Sequence, residues 1–143
     1  MITISLCMIV KNEEQVLGRC LESVKAAVDE IILVDTGSTD RTKEIGAEFG
    51  AQLYDFEWID DFSAARNASF SKATKDYILW LDADDVLSPS DQKKLLALKE
   101  SLDPAVTVVM MKYHTAFHAD GTPSFTYYRE RLIKNHMGYR WDG

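Results

Sequence analysis

The sequence predicts an α/β domain built around a mostly parallel sheet, and three observations carry that prediction. Nearly continuous apolar runs, as in 2–10 and 30–35, read as strands covered on both faces. Helix-patterned segments alternate with these runs at spacings that suit right-handed crossovers. After Pro104 the pattern changes to two extended runs flanking Ala119-Asp120-Gly121-Thr122-Pro123, a turn signal that reads as an antiparallel hairpin added to the sheet.

The elements follow in order. Ile2 to Val10 is the first strand. After Lys11-Asn12-Glu13-Glu14, the residues Val16, Leu17, Cys20, Leu21, Val24 and Val28 fall on one side of a helix. Glu30 to Asp35 is the second strand, broken at Thr36-Gly37-Ser38-Thr39-Asp40. A helix from Asp40 to Phe49 follows, with Ser38 or Thr39 expected as N-cap and Gly50 as its stop. Ala51 to Phe56 is a shorter third strand, Phe62 to Ala73 a third helix and Tyr77 to Leu81 the fourth strand. Ser88-Pro89-Ser90-Asp91 opens a fourth helix that carries Leu95, Leu96, Leu98 and Leu102. Val106 to Phe117 and Phe125 to Ile133 are the arms of the hairpin.

At 143 residues the chain is long enough for one domain with a real core. Its 46% apolar and 27% charged residues are those of an ordinary globular protein. Acidic side chains outnumber basic ones 23 to 16, for a net charge of -7, and no Lys/Arg-rich run appears; this excludes a nucleic-acid partner. The start lacks the basic and longer apolar regions of a signal peptide, and no run approaches a membrane span, so a soluble cytoplasmic protein is expected. Cys7 and Cys20, without CxxC or zinc-like His spacing, read as buried hydrophobes in a reducing compartment.

Chemistry should collect beyond the carboxyl ends of the parallel strands. The first strand delivers Lys11 to Glu14 there, the second Asp35 and the Gly37 turn, the fourth Asp82, Asp84 and Asp85. Three carboxylates within four positions, at the end of the apolar run Tyr77-Ile78-Leu79-Trp80-Leu81, repel one another unless something positive compensates. A hard cation such as Mg²⁺ or Mn²⁺ suits them and would in turn clamp a diphosphate. Asp84 or Asp85 could instead cap the next helix or make a turn, an alternative strongest for Asp85. The Gly37 turn reads as a helix start more readily than as a phosphate cradle, and the dinucleotide fingerprint G-x-G-x-x-G is absent after the first strand. Arg66 is the one strong cation expected near this edge, suited to an anion or to a surface ion pair. His114, His118 and His136 have no partner spacing and are read as strand or loop residues.

In series, VKNEE, VDTGSTD, DFSAARN and LWLDADDVL resemble family 2 glycosyltransferases of the GT-A fold, over nearly the whole chain. The phrase Phe62-Ser63-Ala64-Ala65-Arg66-Asn67 resembles a bacterial subgroup whose catalytic domain is sometimes fused to helical repeats. The resemblance implies a three-layer nucleotide-diphospho-sugar transferase fold. It implies a nucleotide-activated sugar as donor, most often a uridine diphosphate (UDP) sugar, with Mn²⁺ or Mg²⁺ and an inverting single displacement by an acceptor hydroxyl. Val10, Lys11 and Glu13 match the positions that line the nucleoside pocket, Asp35 the acidic residue on base or ribose, and Arg66 a basic position near the nucleotide. Asp82 and Asp84 match the D-x-D pair, the first near the ribose and the second on the metal, with both counted as candidate metal ligands.

Members of this subgroup continue past Arg140-Trp141-Asp142-Gly143 into a short motif with His and Glu, which supplies the acceptor-side base. The resemblance therefore implies that residues 1–143 are a single catalytic domain incomplete at its C-terminus, binding donor and turning over poorly or not at all. Asp120, Glu130 and Asp142 remain as acids with nothing to select one as base. The hairpin around Tyr127 and Tyr128 could face an acceptor, extend the sheet or form a dimer contact. Three other readings stay open: a non-catalytic nucleotide-sugar-binding or docking module on this scaffold, a nucleotidyltransferase, and a haloacid-dehalogenase-like phosphatase with Asp82 as nucleophile. The acceptor and the sugar are not encoded in any motif present.

Overall fold

The computed structural model describes residues 1–58, 62–106, 108–117 and 123–135, without the side chains of 62 and 108–130. Ten elements follow in the expected order: β1 (Ile4–Val10), α1 (Leu17–Val24), β2 (Glu30–Asp35), α2 (Thr42–Glu48), β3 (Gln52–Asp55), α3 (Phe62–Ser71), β4 (Tyr77–Trp80), α4 (Pro89–Ser101), β5 (Val108–Phe117) and β6 (Pro123–Lys134). They form one six-stranded sheet in the order β3-β2-β1-β4-β6-β5. The pairs β1–β2, β2–β3 and β1–β4 are parallel, while β4–β6 and β5–β6 are antiparallel. The hairpin therefore joins the sheet through its second strand, and β5 lies at the edge.

Handedness explains the three layers. From β1 the chain steps outward to β2 and β3, so right-handed crossovers put α1 and α2 on one face. The return step from β3 to β4 runs the other way and carries α3 to the opposite face. Packing agrees. Ile4, Leu6, Met8 and Val10 of β1 pack with Leu17, Cys20, Leu21 and Val24 of α1 and Leu95 of α4, with Ile45 and Phe49 of the α2 region against them. Cys7, Ile32, Ile78, Trp80 and Ile133 pack on the far side with Phe70 and Ala73 from the α3 region. Alternate residues of β1 thus serve two cores, which is why its sequence is apolar except at Ser5, whose buried hydroxyl donates to Glu30.

Local chemistry sets the helix ends. In α1 the buried residues Leu17, Cys20, Leu21 and Val24 recur at helical spacing. The helix stops four residues short of Val28 because the chain must turn into β2: the Asp29 amide donates to the Ile4 carbonyl at 2.8 Å. In α4, Ser88 is the N-cap, accepting from the Asp91 amide at 3.1 Å, with Pro89 behind it. Gly46 sits inside α2 because the helix lies on β2 and β3; a Cβ there would come within 2.5 Å of Leu33 Cδ1.

At the amino end of the sheet, Lys99 of α4 pairs with Asp29 at 2.8 Å, and Asp29 Oδ2 also accepts from the Ile4 amide at 2.9 Å. Burial pushes the Asp29 carboxyl up, but bonds from Lys99 and the Ile4 amide outweigh it and leave it below the ordinary 3.8. A depressed carboxylate stabilises above its unfolded value, and that contribution disappears as pH falls through the folded value. Lys99→Met should therefore lower the urea midpoint at pH 7, and its deficit should shrink as the pH is taken below 3.8.

Among the described residues no helix is long and apolar enough to cross a membrane. Cys7 and Cys20 are free and buried, as expected. Burial raises both thiols, Cys20 to about 12 with Asp85, Asp84 and Asp82 adding to the effect. Neither is a ready nucleophile at neutral pH. Residues 119–122 of the expected turn, His118, His136 and the segment 140–143 lie outside the described residues.

Candidate functional site

The strand order reverses beside β1: β2 follows it on one side and β4 lies on the other. An open parallel sheet parts its loops at such a point, and ligands bind in the crevice that results. The residues leaving β1 are Lys11 to Glu14 and those leaving β4 are Leu81 to Asp85, so the acidic cluster stands at the switch point.

On one flank, the loops after β1 and β2 are joined. Asn12 takes a left-handed φ of 51°, which asparagine tolerates better than most residues. Its amide donates to Ser38 Oγ at 2.9 Å, and its Oδ1 accepts from the Thr39 amide at 2.8 Å. The Glu13 amide donates to Thr42 Oγ1 at 2.8 Å and the Glu14 amide to Asp40 Oδ2 at 3.2 Å. Asp35 Oδ1 accepts from the amides of Gly37 and Ser38 at 2.9 and 2.8 Å, and Gly37 supplies the turn with a φ of 119°. Ser38 and Thr39 consequently do not cap α2. The N-cap position is Arg41, which makes no side-chain cap bond, and the residue before it, Asp40, accepts from the Thr42 amide through Oδ1 at 2.9 Å. The amides of 37, 38 and 39 are matched within the loops, which favours the helix-start reading of this turn over the phosphate cradle.

On the other flank, Asp82 is half-exposed, Ala83 buried, Asp84 exposed and Asp85 half-buried. The Asp85 amide donates to the Asp82 carbonyl at 3.0 Å, closing a turn, and Asp85 Oδ2 accepts from the Asp82 amide at 2.8 Å. Helix α1 supports the loop from the core side: Cys20 Sγ donates to the Asp82 carbonyl at 3.7 Å and Ser23 Oγ accepts from the Leu87 amide at 3.1 Å.

Of the residues singled out in the sequence, Glu13, Asp82, Asp84 and Arg66 gather here. Burial first, then the charges of Asp84, Asp40 and Asp82, hold the Glu13 carboxyl above the ordinary 4.5. Arg66, from α3, places Nη2 3.8 Å from Asp82 Oδ1 and lies 4.4 Å over the Trp80 ring. Lys11 is exposed at the end of β1, whereas the side chain of Val10 is 2% exposed and belongs to the core. Asp35 stands one strand away and is 1% exposed; its Oδ2 is buried and makes no hydrogen bond among the described residues. Asp60 and Asp61 lie outside the described residues, and among the described residues no three His, Cys, Asp or Glu side chains converge as a ligand set for a metal.

One participant was missed. Arg131 of β6, 3% exposed, places Nη1 3.0 Å from Asp85 Oδ2 and donates from the same nitrogen to the Trp80 carbonyl at 3.2 Å. Its guanidinium lies 4.3 Å over the Trp80 ring, so Arg66 is not the one strong cation at this edge. Burial raises the Asp85 carboxyl above its ordinary value; the Asp82 amide and Arg131 oppose this, while Asp82 and Asp84 add to it. The one signal in the sequence is that Arg131 stands two residues before Ile133 on the same strand, and so on the same face of it.

An open α/β sheet with carboxylates at its switch point is the type of domain that binds ligands beyond the carboxyl ends of its strands. The chain belongs to glycosyl transferase family 2, whose sequence model matches residues 5–142. It is 34% identical over 125 residues to the SPbeta prophage-derived glycosyltransferase SunS of Bacillus subtilis, covering 82% of this chain and 30% of that protein. A TPR repeat-containing protein of Synechococcus elongatus is 58% identical over 87 residues, covering 61% of this chain and 22% of the relative. The chain thus spans less than a third of either. Among solved structures, glucosyl-3-phosphoglycerate synthase from Mycobacterium tuberculosis, in complex with Mn²⁺, UDP and glucosyl-3-phosphoglycerate, superposes with a TM-score of 0.51 at 25% identity, covering 57% of this chain and 33% of that one. S. aureus TarS gives a TM-score of 0.55 at 23% identity, covering 68% and 32%, and supports the GT-A fold.

Proposed function

We propose that residues 1–143 act as one donor-binding unit of a glycosyltransferase. The donor is a nucleotide-diphosphate sugar, with UDP as the carrier, and the sugar passes with inversion to an acceptor hydroxyl. The observation that carries this reading is the meeting of Glu13, Asp82, Asp84 and Arg66 at the switch point between β1 and β4. The mycobacterial synthase bound to UDP and Mn²⁺ supports the choice of carrier and ion.

The residues present fit a divalent cation. Glu13 is held above its ordinary value by burial first and then by the charges of Asp84, Asp40 and Asp82, so the carboxylates are crowded with negative charge. Asp82 and Asp84 would hold Mn²⁺ or Mg²⁺ as a pair rather than as a closed cage, and such ions share their shell with phosphates and water. When bound, the ion stabilises the charge that develops on the leaving diphosphate. Lys11, Glu13, Asp35 and Asp82 line the nucleoside, with Val10 beneath them as the floor of the crevice. The unmatched Oδ2 of Asp35 is an acceptor for a hydroxyl or ring N–H. Arg66 would meet the diphosphate, a role supported by its position over Trp80 and beside Asp82. The base is left unassigned: Asp120 and Asp142 lie outside the described residues, as does the side chain of Glu130.

Incubation with a panel of UDP-sugars and Mn²⁺, monitored for released UDP, tests the proposal. Slow release abolished by a chelator is expected from at least one donor. UDP binding without release from any donor would favour a non-catalytic binding module. Pyrophosphate formed from UTP and a sugar phosphate would favour a nucleotidyltransferase.

A further inference from the structure

The turn that carries Asp82 and Asp84 is closed by a pair that the donor chemistry does not use. One oxygen of Asp85 accepts from the Asp82 amide at 2.8 Å and from Arg131 Nη1 at 3.0 Å, and that nitrogen also donates to the Trp80 carbonyl at 3.2 Å. The two side chains are 15% and 4% exposed. A pair so buried contributes little net stability, because desolvation consumes most of its attraction. What it does supply is geometry: the last residue of β4, the first carboxylate of the cluster and strand β6 are tied to a single point. Ala83 is turned inward while Asp82 and Asp84 remain on the solvent side.

The geometry points to Asp85 and Arg131 as positioning residues of the donor site. They hold the Asp82–Asp84 turn in the one conformation that presents both carboxylates together, and they couple that turn to the β5–β6 hairpin. Residues that orient metal-binding carboxylates typically change affinity about 10- to 100-fold when removed. This inference rests on the donor-site reading above.

The test uses Asp85→Leu/Arg131→Met together, because replacing both members of a buried pair by apolar groups tends to leave folding intact. Arg131→Lys, which keeps the charge without the fork, serves as the conservative partner. Two quantities are read: amide hydrogen exchange at Asp82, and UDP affinity by calorimetry in Mn²⁺. In the double variant, with unfolding unchanged, Asp82 exchange should quicken about tenfold, the equivalent of one lost hydrogen bond. UDP affinity should fall about 10- to 100-fold, with Arg131→Lys in between. A folded double variant that binds UDP as tightly as the unaltered chain overturns the inference, whatever its exchange rate, because the pair would then be purely structural. If the unaltered chain itself binds no UDP, the donor-site reading has failed and the inference falls with it.

Discussion

Trp80→Ala is expected to cost about 3–5 kcal/mol of stability, the usual range for emptying a buried aromatic site. Against a total of roughly 5–15 kcal/mol for a domain, that is a large fraction. Trp80 is 2% exposed at the end of β4 and packs with Cys7, Ile32, Ile78 and Phe70 between the sheet and α3. Its loss also removes the surface over which the guanidinium groups of Arg66 and Arg131 lie, at 4.4 and 4.3 Å. Trp80→Phe keeps a ring in the cavity and should cost much less. Urea unfolding followed by far-UV circular dichroism, with the slope held in common, measures both.

Asp84→Ala should do the opposite, leaving the fold intact and removing the chemistry. Asp84 is exposed, so its removal should change stability by no more than about 0.5 kcal/mol. Metal-dependent release of UDP from a donor should fall by about 100- to 1000-fold, as when a principal stabiliser of developing charge is lost. A second effect follows from the charge crowding. Asp84 is the largest coulombic contributor to the raised Glu13 carboxyl, so that group should titrate closer to 4.5 in the variant. Carboxyl-resolved NMR titration reads this without any ligand.

Much of the architecture was legible because it rests on patterns of residue type. Continuous apolar runs identified β1, β2 and β4, Ser88-Pro89 marked the start of α4, and the chain after Pro104 read correctly as a hairpin in the sheet. Asp82 and Asp84 could be placed beyond the carboxyl end of β4 from their position after a buried strand. What failed was what depends on long-range pairing. Ser38 looked like a cap because serine caps helices, but the fold offers its hydroxyl the Asn12 amide instead. Asp85 could be set apart from Asp82 and Asp84 as a turn residue, but its pairing with Arg131 could not be read, since the two lie 46 residues apart and meet only through the pairing of β4 with β6.

In the proposed function the carboxylates at the switch point bind a nucleotide diphosphate together with a divalent ion. Calorimetric titration of UDP into the unaltered chain, with and without Mn²⁺, tests it most directly. Binding that appears or tightens sharply in Mn²⁺ is the predicted result. UDP binding that is absent in both conditions, or indifferent to the metal, would contradict it.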